Sequence, residues 1–194
     1  MKPVTVLSIA PLTSTFPALT GVSRARQLLA KLIAWTADES PKGILVLDFR
    51  DVGDASASFL RESILAFRDY VRGYQPDLFP VLANINETVH EEFDTLLRDR
   101  REAMLGCNFD GSLPTDPEVL GVLEPGLSQT LHVIRSRGQL TLADLRKTSA
   151  DTKATTWSNR VASLIRQGFV VPSLEPNKRL YRFVLADAGG TSGS

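Results

Sequence analysis

Residues 130–184 constrain the fold of this chain most, because three runs with helical spacing follow one another there before the pattern changes to that of paired strands. Leu131, Val133 and Ile134 mark an apolar helix that ends at Arg137-Gly138. Thr141-x-x-Asp144 has the spacing of a capping box, in which a hydroxyl and a carboxylate each hold a backbone N–H of the first turn, so a short second helix starts there. Residues 155–167 form a third. At about 100° per residue, Trp157, Val161, Leu164 and Ile165 point inward. Thr155, Asn159, Ala162, Ser163 and Arg166 gather on the opposite side. Gly168-Phe169-Val170-Val171 then turns out into a strand, and residues 179–184, with Leu180, Tyr181 and Phe183, return as its partner.

The charge is concentrated in the same place. The chain balances 22 Lys/Arg against 22 Asp/Glu. Residues 1–113 nevertheless hold 12 basic and 15 acidic side chains, and residues 114–194 hold 10 and 7. All ten of the latter basic residues lie between Thr130 and Arg182, against three acidic ones, Asp144, Asp151 and Glu175. Such a field attracts a phosphate backbone.

The run Thr156-Trp157-Ser158-Asn159-Arg160-Val161-Ala162-Ser163-Leu164-Ile165-Arg166-Gln167-Gly168-Phe169-Val170 resembles the recognition helix and first wing strand of winged-helix repressor families. Those read Ser/Thr-x-Ser-Asn-Arg-Val-x-x-Leu-x-x-x-Gly-Phe-Val. The resemblance implies a mainly α winged helix-turn-helix domain with a two-stranded wing that binds double-stranded DNA, commonly as a homodimer. Asn159 suits a bidentate bond to an adenine edge, while Thr155, Thr156 and Ser163 suit bases or phosphates, with Arg166 on the same polar face. Arg160 lies toward the flank, where a phosphate contact is expected. In the wing tip Glu175-Pro176-Asn177-Lys178-Arg179, Lys178 and Arg179 are placed to straddle a phosphate or enter a minor groove. Some winged helices dock only proteins, so an adaptor that uses both domains to dock partners stays open as the alternative.

The N-terminal part reads as an α/β domain. Residues 4–9 suggest a strand, 11–20 a Pro/Thr/Ser-rich loop, and a helix starts near Gly21 with Ala25, Leu28, Leu29, Leu32, Ile33 and Trp35 largely at helical spacing. Ile44-Leu45-Val46-Leu47 is a buried strand whose lack of alternation predicts helices on both sheet faces. A helix over 56–71, a strand over 78–83 that carries Pro80, and a helix over 88–105 follow. Residues 108–117 mix Asp, Gly, Ser and Pro without periodicity and read as the linker. The expected organisation is therefore 1–113 for the α/β domain with its linker, 114–187 for the winged helix, and 188–194 for a flexible tail. Pro125-Gly126 marks a helix start in the second domain, and a helix over 120–137 is one candidate for the dimer interface.

Leu47-Asp48-Phe49-Arg50-Asp51-Val52, followed by Ser56-Ala57-Ser58-Phe59-Leu60, is similar to the signature of STAS-like domains: a buried strand ending in Asp, a Val four residues on, and a Ser-containing turn into a helix. Residues 4–106 are covered, and Val81-Leu82-Ala83-Asn84-Ile85-Asn86 also fits. The resemblance implies a domain that senses a small ligand or docks a protein partner, with Ser56 and Ser58 as the partner or switch positions. Anti-anti-sigma members carry a phosphorylatable Ser after an acidic residue; here Ala57 and Ser56 hold those two places. A helix-capping role for Ser56 or Ser58 is the structural reading of the same turn.

Nothing in the sequence forms a catalytic constellation. There is no glycine-rich phosphate loop, no Gly-x-Ser-x-Gly and no Cys-x-x-Cys. His90 and Asp94, four apart on a helix, lack further ligands for a metal, and Cys107 has no catalytic partner. Asp48 reads as a carboxylate that binds its following turn. Apolar runs fall short of the roughly 20 residues of a membrane helix, and Met1-Lys2-Pro3 lacks a full signal pattern. The expectation is a cytoplasmic, non-enzymatic, sequence-specific transcriptional regulator without metal or cofactor.

Overall fold

The chain winds first through β1 (Val4–Ser8), α1 (Ile9–Thr13), β2 (Ala18–Leu19), α2 (Val22–Glu39), β3 (Gly43–Asp48) and β4 (Asp54–Ala55). It continues through α3 (Ala57–Leu60), a π-helical turn over Arg61–Leu65, α4 (Ala66–Tyr74), β5 (Leu78–Ala83), α5 (Glu87–Asp99), β6 (Ala103–Phe109) and β7 (Pro114–Gly121). A computed structural model describes residues 3–13, 18–149, 152–175 and 178–186. It divides into two compact units, Met1–Val122 and Leu123–Ser194.

In the first unit five strands align in the order β1-β3-β5-β6-β7, the first four parallel and β7 antiparallel at the edge. Each parallel crossover steps one place in the same direction, and right-handed crossovers of that kind put their helices on one face of a sheet. The core agrees. Leu28 and Leu32 of α2, Phe59 and Phe67 of the following helical stretch, and Phe93 and Leu97 of α5 join Leu45, Leu47, Leu82 and Met104 in a single cluster. The run from Ile44 to Leu47 is buried throughout, as its lack of alternation predicts. The helices, however, all pack on the Leu45/Leu47 side, not on both faces as expected.

The largest departure from the sequence reading lies at residues 100–121. The helix expected over 88–105 stops at Asp99, and Met104 is a strand residue. Arg101 takes a left-handed backbone (φ 54°), and Glu102 N–H bonds Leu97 C=O, which reverses the chain into β6. Residues 108–117, expected as a linker, form the turn and first half of the β6–β7 pair. The second unit therefore begins at Leu123, not at 114; its first helix starts at Pro125, as Pro125-Gly126 marks, so residues 120–122 of the candidate dimer segment lie outside the helix. Leu120 packs in the first core from β7. Gly121 ends that strand at φ 80°, where a Cβ would stand 2.3 Å from Glu102 O. The expected 11–20 loop holds the end of α1 and all of β2, while its residues 14–17 lie outside the described residues.

Two polar devices hold this unit. Asn84, left-handed at φ 55°, donates from Nδ2 to Asp48 Oδ1 and to Phe109 C=O, both at 2.9 Å, and accepts Phe109 N–H at Oδ1. Asp48 Oδ1 also accepts Arg50 N–H at 3.0 Å, the turn-binding role expected of it. The second device surrounds Arg68, whose side chain is 2% exposed and pairs with Asp69 at 2.7 Å and with Glu102. Partial burial pushes the Glu102 carboxyl up, but hydrogen bonds from Arg68 and Arg100 outweigh it and leave its pKa below the ordinary 4.5. Burial, with Arg68 beside it, pushes Arg72 down to about 10.

In the second unit α6 (Pro125–Arg137), β8 (Gln139–Leu140), α7 (Leu142–Arg146) and α8 (Ala154–Arg166) precede β9 (Val170–Glu175) and β10 (Lys178–Phe183). The sheet has three strands, in the order β8-β10-β9, instead of the expected two. β8 is two residues long and follows Gly138 at φ 75°, too short to register as a periodic pattern. Leu131, Ile134, Leu145, Trp157, Val161, Leu164 and Phe169 are buried.

Asn84→Ala takes the partner of Phe109 N–H and one donor each from Asp48 and Phe109 C=O, which keep Arg50 N–H and Arg50 Nη2, and should cost about 1–3 kcal/mol in urea unfolding. Glu102→Gln should destabilise by about 1–3 kcal/mol at neutral pH, because it removes one of the two carboxylates on buried Arg68. The pH sign follows from the depressed Glu102 pKa: its stabilisation is complete above 4.5 and disappears as pH falls through the lower folded-state value. The stability gap between wild type and Glu102→Gln should accordingly close on acidification below that range, as urea melts across a pH series would record.

Candidate nucleic-acid interface

The positions singled out in the second unit start from α7. Thr141 is its N-cap: Asp144 N–H donates to Thr141 Oγ1 at 3.2 Å, and Thr141 N–H donates to Asp144 Oδ2 at 3.0 Å, completing the expected capping box. The backbone and side-chain donors of Thr141 hold the Asp144 carboxyl below its ordinary range. This fixes the turn before α8, the thirteen-residue helix with the polar face.

On α8, Thr155, Asn159, Ala162 and Arg166 are exposed, within an arc of about 60° at 100° per residue. Trp157, Val161 and Leu164 are buried on the other side, while Ile165 is only half-buried. Thr156 is half-buried. So is Ser163, whose Oγ accepts from Gln167 Nε2 at 3.1 Å. Arg160 has packing partners inside the unit that the sequence did not announce. Its guanidinium lies 5.4 Å from the Trp157 ring centre and against Gly126, where a Cβ would stand 2.7 Å from Arg160 Nε. The side chain bridges α6 and α8 and is half-buried, so packing and cation–π attraction hold it.

In the hairpin, Lys178 and Arg179 are exposed at the start of β10, with the Arg179 guanidinium 5.7 Å from the Tyr181 ring centre. Pro176 and Asn177 of the expected wing tip, Asp151, and the tail 188–194 lie outside the described residues. Lys178, Arg179 and Tyr181 share a shallow basin with Thr141 and Asp144, which brings the α7 cap and the hairpin together. Sequence reading did not pair them, because 34 residues separate Asp144 from Lys178. Lys153, exposed at the N-cap of α8, was also passed over; its signal was a cation directly before the polar face. With the boundary at 122/123, the second unit holds ten Lys/Arg against five Asp/Glu and the first twelve against seventeen, net +5 and −5.

The remaining candidates are in the first unit. Ser56 caps α3, its Oγ accepting Phe59 N–H at 3.3 Å, and lies 3.2 Å from Ser58 Oγ. Both are half-buried. His90 and Asp94 take separate partners: His90 Nε2 meets Glu118 at 3.3 Å, whereas Asp94 accepts Gly121 N–H at 2.7 Å and pairs with Arg98. No group of metal-binding side chains occurs among the described residues. Burial, with Glu118 and Asp48 adding, pushes the Cys107 thiol up to about 12, so it is protonated at neutral pH. Among the described residues no helix is long and apolar enough to cross a membrane.

No protein-family model matches the chain, and no curated protein matches it.

Thr141→Ala removes the cap that orients the turn before α8 and should lower the stability of the second unit by about 1 kcal/mol. Trp157 fluorescence during urea unfolding would measure it, since Trp157 is buried in that unit and Trp35 belongs to the first.

Proposed function

We propose that the chain is a sequence-specific DNA-binding transcriptional regulator whose second unit is a winged helix and whose first is a STAS-like sensing or docking module. The observation that carries this reading is the exposed α8 face of Thr155, Asn159, Ala162 and Arg166 in a unit of net charge +5. A face of short side chains lets a helix enter a major groove, and a carboxamide near its centre can bond an adenine edge twice. Lys178 and Arg179 would neutralise phosphates beside the groove, with Lys153 at the other end of the approach. Arg160 has a positioning role in this scheme: it holds α8 on α6 through Trp157 and Gly126. Ser56, which caps the helix of the STAS-like turn, and Ser58 remain the partner or switch positions of the first unit. Cytoplasmic location and homodimerisation on two half-sites belong to the same proposal.

Selection from a randomised duplex pool, followed by anisotropy across a salt series, tests it. An enriched motif is expected. Asn159→Ala should reduce discrimination at one or two base positions by about 1–3 kcal/mol. Lys178→Ala and Arg179→Ala should each weaken all sequences alike and lower the salt slope by about 1. No enrichment, or equal loss on every sequence from Asn159→Ala, would overturn the assignment and leave the protein-docking adaptor.

A further inference from the structure

A cleft of about 110 Å³ opens in the first unit beside α2. Leu12, Leu19, Leu28 and Phe59 supply its apolar wall; Leu19, Leu28 and Phe59 are each no more than 3% exposed. Arg24, Gln27 and Lys31 stand along it, spaced i, i+3 and i+7 so that one stripe of α2 faces the opening. Arg24 and Lys31 are exposed. Among the described residues no acidic side chain lines the cleft, although acidic residues outnumber basic ones by seventeen to twelve in this unit.

That combination selects a ligand chemistry. A guanidinium presents a planar fork that matches a carboxylate. Lys31 Nζ donates to Leu12 C=O at 2.6 Å, which draws the ammonium to the cleft wall and leaves it two further protons to donate. The apolar wall requires a hydrocarbon part, which inorganic anions lack. An apolar cavity of about 150 Å³ accommodates benzene, so this smaller, open space suits a chain of about four carbons. We propose that the cleft binds a small carboxylate with a short aliphatic tail, its head on Arg24 and Lys31 and its tail against Leu19, Leu28 and Phe59.

The site has a route to the Ser56 turn. Leu19 pairs with Ala55 between β2 and β4, and Ser56 N–H donates to Leu19 C=O at 3.0 Å. A tail resting on Leu19 therefore presses on the residue bonded to the N-cap of α3.

Amide NMR of the full chain, titrated with butanoate, tests the proposal without DNA, so its outcome is separate from that of the regulator reading. Saturable shifts are expected at Leu19, Gln27, Lys31 and Ser56. Arg24→Ala and Lys31→Ala should each weaken butanoate by about three- to tenfold, in line with exposed charge pairs, with spectra otherwise unchanged. Lys42→Ala, an exposed cation outside the cleft, should leave binding as it is. Butan-1-ol, which has the tail without the charge, and inorganic phosphate, which has charge without the tail, should both bind at least about tenfold more weakly. The proposal is overturned by an absence of saturable shifts up to about 50 mM butanoate. It is equally overturned by comparable binding of either control ligand, or by Lys42→Ala acting like the cleft variants.

Discussion

The Asn84 carboxamide is the joint on which the first unit depends. Three parallel strands, β3, β5 and β6, end together, and each would leave polar groups without strand partners where the chain turns away. One side chain answers for several of them: Asn84 bonds Asp48, the last residue of β3, and both backbone groups of Phe109, the last of β6. Its backbone is left-handed, a conformation Asn tolerates better than other residues with a side chain. Two residues on, Asn86 repeats the device, donating to Val52 and Gly53 carbonyls while capping α5 through Val89 N–H. The turn that leads to Ser56 is therefore clamped from the neighbouring loop as well as from its own strand. This explains how an irregular segment can present Ser56 and the Leu19 wall of the cleft in a fixed relation.

What could be read from the sequence was what repeats or caps. β3, β5, α2 and α5 declared themselves by apolar spacing, and the Thr141/Asp144 box was legible because its chemistry is local. β6 was hidden for a physical reason. The charged stretch Arg98 to Glu102 continues the polar face of α5, so the helical pattern runs past the real end, and only the left-handed Arg101 breaks it. β7 contains Pro114, Asp116 and Pro117, residues that signal a loop in isolation but also protect an edge strand from further pairing. The same composition thus carries two meanings, and tertiary pairing decides between them. The one-sided stacking of helices was equally out of reach, since a run buried on both faces does not say what covers each of them.

On α8 the sequence separated inner from outer side chains correctly for Trp157, Val161, Leu164, Thr155, Asn159, Ala162 and Arg166. It did not foresee the packing of Arg160, because angular position alone ignores what a long side chain can reach. Gly126 on α6 has no Cβ, and the guanidinium occupies the space one would fill while it lies over the indole of Trp157. A substitution at Gly126 would therefore disturb α8 without touching any residue of its exposed face. The basin shared by Thr141, Asp144, Lys178 and Arg179 was invisible for a related reason: it joins elements distant in sequence.

The charge distribution bears directly on the proposed regulator. A chain of zero net charge gains nothing from long-range attraction to DNA, so association depends on the field within about 10 Å of the surface at 0.1 M salt. Asp116 and Glu118 belong to β7 of the first unit, so the second unit carries +5. Within it, Asp144 is held ionised by Thr141 in the same basin as Lys178 and Arg179. A phosphate entering there would meet two cations and one fixed carboxylate, a weaker anion site than the cations alone would make. Lys153, at the start of α8, stands outside that basin. For the proposed regulator, Lys153 would therefore add a phosphate anchor that Asp144 does not weaken.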